Sequence, residues 1–195
     1  MKSTMLFLTG IFLNVSCTIL PAYGLASVND HSVTDDHHSR SVPSGCTVIT
    51  VVKGNTVFFG GNDDFNNPDQ YYRVEQGDSS SYGVIWIGDP DNPQQGINER
   101  GLAYDSNGLP RFEVNPHPER IPVNGEYYHN YLMQIMHECA TVEEVIHWVN
   151  THQRFPYMHD QMHFADKTGD AVIISAGTDG EMVFTRKQPG DGFLV

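Results

Sequence analysis

The sequence predicts an α+β domain, and three observations carry that prediction. Alternating apolar and polar runs, rich in β-branched and aromatic side chains, fill much of the stretch from Cys46 to Asp105. A 3.6-residue period replaces them between Tyr127 and Val149, and the two-residue period returns from Gln161 to Arg186. Strands, then two helices, then strands describe segregated elements rather than a wound parallel sheet.

Taken in order, residues 46–53 and 56–60 form the first strand pair. Gly54-Asn55 between them tolerates positive φ and suits a two-residue hairpin turn. A polar loop over 62–70 precedes strands at 71–75 and 82–87, and Asp89-Pro-Asp-Asn-Pro93 reads as a turn. Gly96-Ile-Asn-Glu-Arg-Gly101 leads into the strand 102–105, and a Pro-rich connector over 110–122 closes the block. Tyr127, Tyr131, Leu132, Ile135, Met136 and Cys139 then make one helical stripe. Thr141-Val-Glu-Glu144 is a capping box that opens a second helix, with Val142, Val145, Ile146 and Val149 inward. Segments 161–166, 171–175 and 181–186 form a strand meander, turned at Thr168-Gly-Asp170 and Thr178-Asp-Gly180. There is no internal repeat.

Ahead of these elements, a basic start and a short apolar core lead to small residues at Gly24-Leu-Ala26, so residues 1–26 are expected to be a secretory signal. Residues 27–45 are mainly Ser, Asp, His and Arg, and cannot bury enough apolar surface to offset the entropy of ordering. They are expected to be a polar propeptide or linker, which leaves 46–195 as one domain of ordinary size. The expected location is secreted or periplasmic, with no stable membrane association once the signal is removed. A net charge of −13 opposes nucleic-acid phosphates and anionic membranes, and no Lys/Arg cluster reverses the field locally. Oligomeric state is left open, a homo-oligomer included.

Of three cysteines, Cys17 falls in the signal, leaving Cys46 and Cys139. They form either one bridge, in a secreted binding module without catalysis, or no bridge, with Cys46 free for chemistry. A thiol needs activation to react near pH 7, and a free α-amino group has the right basicity to supply it. If the chain were cut before Cys46, both groups would belong to one residue. Asn62-Asp63-Asp64 ends the paired strand, where the hairpin brings the chain back to its starting level, so these residues can neighbour Cys46. Asn107 could donate a side-chain N–H to an oxyanion, or could be a turn residue beside Gly108.

Cys46 with its hairpin, Phe59-Gly-Gly-Asn62-Asp-Asp64 and Gly96-Ile-Asn-Glu-Arg-Gly-Leu102 together resemble the linear-amide C–N hydrolases, a group of N-terminal nucleophile hydrolases. Choloylglycine hydrolases, penicillin V acylases and acyl-coenzyme A:6-aminopenicillanic acid acyltransferases belong to it. The resemblance runs from Cys46 to the end of the sequence, through Cys139-Ala-Thr-Val-Glu-Glu144 and Ala165-Asp-Lys-Thr-Gly-Asp170. It implies a four-layer αββα sandwich, self-cleavage before Cys46, and action on a small-molecule amide with no cofactor. It also implies Cys46 as nucleophile, Asp64 holding the freed amine, Asn62 in substrate binding and Asn107 in the oxyanion site. Gly61 stands where bile-salt-type members carry arginine, which disfavours that branch. The family fold needs roughly twice the length of 46–195, so an incomplete C-terminus, weak activity and poor solubility are expected.

No metal is expected. His159-Asp-Gln-Met-His163 has the spacing of two helical zinc ligands, but its segment alternates like a strand, which would hold the imidazoles roughly 13 Å apart. Asp89-Pro-Asp-Asn-Pro93 lacks the fifth ligand and the glycine of a calcium loop.

Overall fold

Gly54 takes φ +60°, a left-handed conformation that costs glycine little, and this closes the two-residue turn between β1 (Thr47–Lys53) and β2 (Thr56–Asn62). Pairing then runs from Lys53↔Thr56 to Thr47↔Asn62 without a slip. The structure is a computed structural model that describes residues 46–64, 70–89, 92–125, 128–187, 191 and 193–194. The signal and the linker expected over 1–45, and Tyr127, lie outside the described residues.

The remaining elements are β3 (Tyr71–Glu75), β4 (Val84–Asp89), β5 (Asn92–Asn98), β6 (Ala103–Glu113), α1 (Tyr128–Glu138), α2 (Val142–Thr151), β7 (Tyr157–Ala165), β8 (Ala171–Ala176), β9 (Met182–Arg186) and β10 (Phe193–Leu194). They form a seven-stranded antiparallel sheet in the order β3-β4-β5-β6-β7-β8-β9 and a three-stranded sheet in the order β10-β1-β2. The expected α+β class is what the structure shows. Among the described residues the layers are one pair of helices, the large sheet and the small sheet.

The large sheet is apolar towards the helices. Val84, Trp86, Tyr104, Met162, Phe164, Val172 and Ile174 pack against Tyr131, Leu132, Ile135 and Met136 of α1 and Val142, Val145, Trp148 and Val149 of α2. A side chain at Gly96 would come within 2.6 Å of the Trp86 indole, so the bare backbone lets that ring lie flat across β5. The other face of the sheet meets β1 and β2 along β6. The β7–β8 turn reaches the small sheet as well, since a Cβ on Gly169 would strike Val52 and Val57.

Three readings of the sequence change. The segment 92–98 was expected to hold a turn and a lead-in, yet it is a strand, because it pairs along β4 from Asp89↔Asn92 to Val84↔Asn98. The connector expected from Pro110 begins only after Glu113. β6 continues through Pro110 by a bulge, its register with β7 passing from Gly108↔Asp160 to Phe112↔Met158. Proline fits there because a bulge asks for no ladder N–H. Asn107 therefore lies within a strand and not in a turn.

Asn98 ties the helical layer to the sheet. Its Nδ2 donates to the carbonyl oxygens of Met136 (2.8 Å) and Cys139 (2.7 Å), and its Oδ1 accepts from the N–H groups of Leu102 (3.0 Å) and Arg100 (3.1 Å). One buried amide thus satisfies the end of α1 and the β5–β6 turn together. At the start of α2, Thr141 caps Glu144 N–H, while Asp166 accepts from Val142 N–H at the helix N-terminus. Asn98→Ala is expected to lower stability by roughly 3 kcal/mol, since it strands several buried groups at once. Urea unfolding followed by tryptophan fluorescence measures the loss; a change below about 1 kcal/mol would contradict this account of α1 docking.

Candidate functional site

Strand alternation decides what faces the large sheet. On β1, Val48 and Thr50 are buried while Thr47 and Ile49 are exposed; on β2, Val57 is buried while Phe58, Gly60 and Asn62 are exposed. Carried one step past Thr47↔Asn62, the same register sets Cys46 opposite Asp63, both on the inward side and both half-buried. The Cys46 side chain is close enough to the Asp63 carboxyl to draw it down against the burial that raises it. Asp63 Oδ2 also accepts from Gln95 Nε2 at 2.7 Å, which fixes the carboxylate from the opposing sheet.

The structure thus places Asp63, not Asp64, against Cys46. Asn62 and Asp64 are both exposed on the outward side. The parity of the strand is the cause: Asp64 would need a slip of one residue to turn inward.

Asp105 on β6 is fully buried. Its Oδ1 accepts from Ser106 N–H at 2.7 Å, whereas Oδ2 is buried with no hydrogen-bond partner. That oxygen lies where a Cβ of residue 61 would be, and the same Cβ would be 3.3 Å from Gln95 Nε2. Gly61 therefore makes room for the Asp105 carboxylate between the two sheets. Burial first, and then the charge of Asp63, push Asp105 up to about 8. Asp63 is raised too, by burial, against the opposing effect of Gln95 and Cys46.

Asn107, two residues along on the same face, bonds elsewhere. Its Nδ2 is 3.2 Å from His163 Nε2, and its Oδ1 is buried without a partner. His163 pairs in register with Asp105, and burial lowers it to about 4, so the imidazole is neutral at neutral pH. Gln161 Oε1 stands 3.3 Å from the same ring nitrogen, and Gln161 Nε2 donates to Ser175 Oγ at 3.1 Å. A continuous polar strip thus crosses β6, β7 and β8. Gln95, Asp105, Gln161 and His163 were not singled out in the sequence as site residues. The available signal was register: the two-residue turn at Gly54-Asn55 makes positions 46 and 63 opposite by counting.

The bridge between Cys46 and Cys139 is not formed; both thiols are free. Cys139 belongs to the helical core on the other face of the large sheet, and burial pushes its thiol up to about 12. His159 and His163 both lie in β7, and no cluster of three or more metal-ligating side chains occurs among the described residues.

An acid whose proton is held more tightly when folded costs stability as pH rises. For Asp105 the cost is absent below its unfolded value near 3.8, grows through the window up to about 8, and is constant above it. Asp105→Asn is therefore expected to be more stable than the unsubstituted chain at pH 8.5, on the order of 2 kcal/mol, with the difference shrinking towards pH 4. Thermal melts across that range check the sign; a difference independent of pH would contradict it.

No family model matches the chain, and no curated protein matches it. Solved structures do match. A mutant of the conjugated bile acid hydrolase from Clostridium perfringens aligns with TM-score 0.53 and 17% identity, covering 76% of this chain and 53% of that one. Another variant of the same hydrolase gives 0.44 and 16%, covering 76% and 44%. Penicillin V acylase from Agrobacterium tumefaciens gives 0.44 and 17%, covering 73% and 42%. The chain spans about half the length of the structures it matches, and the first likeness establishes a shared fold with the bile acid hydrolase.

Proposed function

We propose that this chain is a cysteine N-terminal nucleophile hydrolase or acyltransferase, acting on the carbon–nitrogen bond of a small linear amide. The observation that carries the reading is the half-buried Cys46 thiol set opposite Asp63 at the open end of the β1–β2 hairpin, with Gln95 holding the carboxylate. The fold shared with a bile acid hydrolase supports it. Export through residues 1–26, and release of 27–45 by cleavage before Cys46, complete the proposal.

Cleavage at the Gly45–Cys46 peptide turns an amide nitrogen into a free α-amine beside the thiol. The amine accepts the thiol proton while sulfur attacks the substrate carbonyl. Asp63 is assigned the role of orienting the amine and stabilising its protonated form. As the tetrahedral intermediate collapses, the C–N bond breaks, the proton passes to the departing amine, and the acyl group stays on Cys46 as a thioester. Water or another nucleophile then attacks the thioester, returns a proton through the α-amine and restores the thiol. The oxyanion donors are assigned to Gln95, whose Nε2 has a second hydrogen beyond the one given to Asp63, and to Asn107.

The surface beside the site suits an apolar acyl group. Ile87 pairs in register with Gln95 and Tyr72 with Ile87, while Val74 pairs with Ile85 and Ile85 with Ile97. Tyr72, Val74, Ile85 and Ile87 are exposed. One apolar row thus runs from Gln95 towards the sheet edge, and a second, starting at Ile97, runs beside it.

Expression of the full chain with its leader, followed by intact mass measurement, is expected to give a terminus at Cys46, and Cys46→Ala is expected to leave the chain uncleaved. With N-acyl 4-nitroanilides as probes, Asp63→Asn is expected to lower kcat/KM by at least 100-fold, and Asp64→Asn by less than about threefold. The reverse order would return the amine-holding role to Asp64. Turnover that survives Cys46→Ala would end the proposal.

A further inference from the structure

Asp63 stands opposite Cys46 in the hairpin register, Asp105 reaches the same inter-sheet space from β6 through the gap at Gly61, and the surroundings of the two carboxyl groups are unequal. Asp63 is half-buried, accepts from Gln95 Nε2, and has the Cys46 thiol beside it, which favours its charged form. Asp105 is fully buried, takes one backbone N–H on Oδ1, and has no donor for Oδ2. A charge is stabilised where donors meet it and penalised where burial leaves an oxygen bare, so of the two it is Asp63 that ionises first. The space at Gly61 holds the bare oxygen in place, because any side chain there would displace it.

Resting on the assignment of Cys46 as nucleophile, we propose that Asp105 is a positioning residue for that thiol. As the neutral member of a carboxylate pair it leaves a single negative charge, on Asp63, beside Cys46, and losing its proton to solvent weakens the nucleophile by adding a second charge. Burial and the charge of Asp63 place that loss near pH 8, inside the range in which a thiol itself ionises.

The groups facing Asp105 make the effect specific. From the small sheet come Gly61 and Asp63, with Cys46 reached only through Asp63; from β5 comes Gln95, which does not titrate near neutrality. From β7 comes His163, its register partner, which burial keeps neutral above about pH 4 and which therefore supplies no compensating positive charge. Tyr104, adjacent on β6, belongs to the helix-facing core, and Asp160 is placed by strand alternation on that same side of β7.

The test reads the thiol directly. Iodoacetamide alkylation of Cys46 in the full chain, quantified by mass spectrometry of the peptide that contains it, is followed from pH 5.5 to 9.5. The unsubstituted chain is expected to show a break near pH 8, above which the rate rises less steeply than a single thiol requires. Asp105→Asn is expected to remove the break and to react about three- to tenfold faster at pH 9. Superimposable profiles would overturn the proposal. Should Asp105→Asn fail to fold, the carboxyl ¹³C shift of Asp105 in the unsubstituted chain decides: titration near pH 8 supports the assignment and titration below pH 5 overturns it. Alkylation needs neither chain cleavage nor amide turnover. An active enzyme with superimposable profiles would refute only this role, whereas turnover that survives Cys46→Ala would refute the proposed function and this role with it.

Discussion

The register of one hairpin governs what the rest of the molecule can do. A left-handed glycine at position 54 shortens the β1–β2 turn to two residues, and from there every pair is determined until the strands part. Alternation then divides the hairpin into an inward set, Cys46, Val48, Thr50, Gly61 and Asp63, and an outward set that includes Asn62 and Asp64. A shift of one residue would send the whole inward set to solvent. The surroundings of Cys46 therefore depend on a turn at the far end of the same two strands.

The large sheet serves two different neighbours. Its helix-facing side is close-packed with aliphatic and aromatic groups, the arrangement that supplies most of the stability of such a layer. Its other side carries a polar strip, from Gln95 and Asp105 through His163 and Gln161 to Ser175, under the small sheet. Buried polar groups of this kind cost free energy where unpaired, as at Asp105 Oδ2 and Asn107 Oδ1. Their concentration on one face, close to a free thiol, is what marks that face as the candidate site.

The order of elements was readable because it rests on local pattern. The helical stripe through Tyr131, Ile135 and Met136, the Thr141 cap and the strands of the closing meander all follow from spacing and turn chemistry. β5 was missed because Gln94, Gln95 and Gly96 carry none of the β-branched or aromatic signal, and pairing with neighbouring strands alone makes them a strand. The length of β6 was missed because Pro110 looks like a stop until a bulge absorbs it. At the site, Cys46 stood out by its chemistry, whereas the position of Asp63 opposite it follows from register and not from motif. The contributions of Gln95, Asp105 and His163 come from strands remote in sequence, and single-residue pattern holds no record of which remote strand lies opposite.

Gly61 and Asp105 occupy one volume between two sheets, the first by having no side chain and the second by filling the space with a carboxyl group. The dependence runs one way: any side chain at 61 must displace the carboxyl group at 105, whereas position 105 can change under an unchanged glycine, so the bare backbone of one strand reserves a berth for a group carried by a strand remote in the polypeptide.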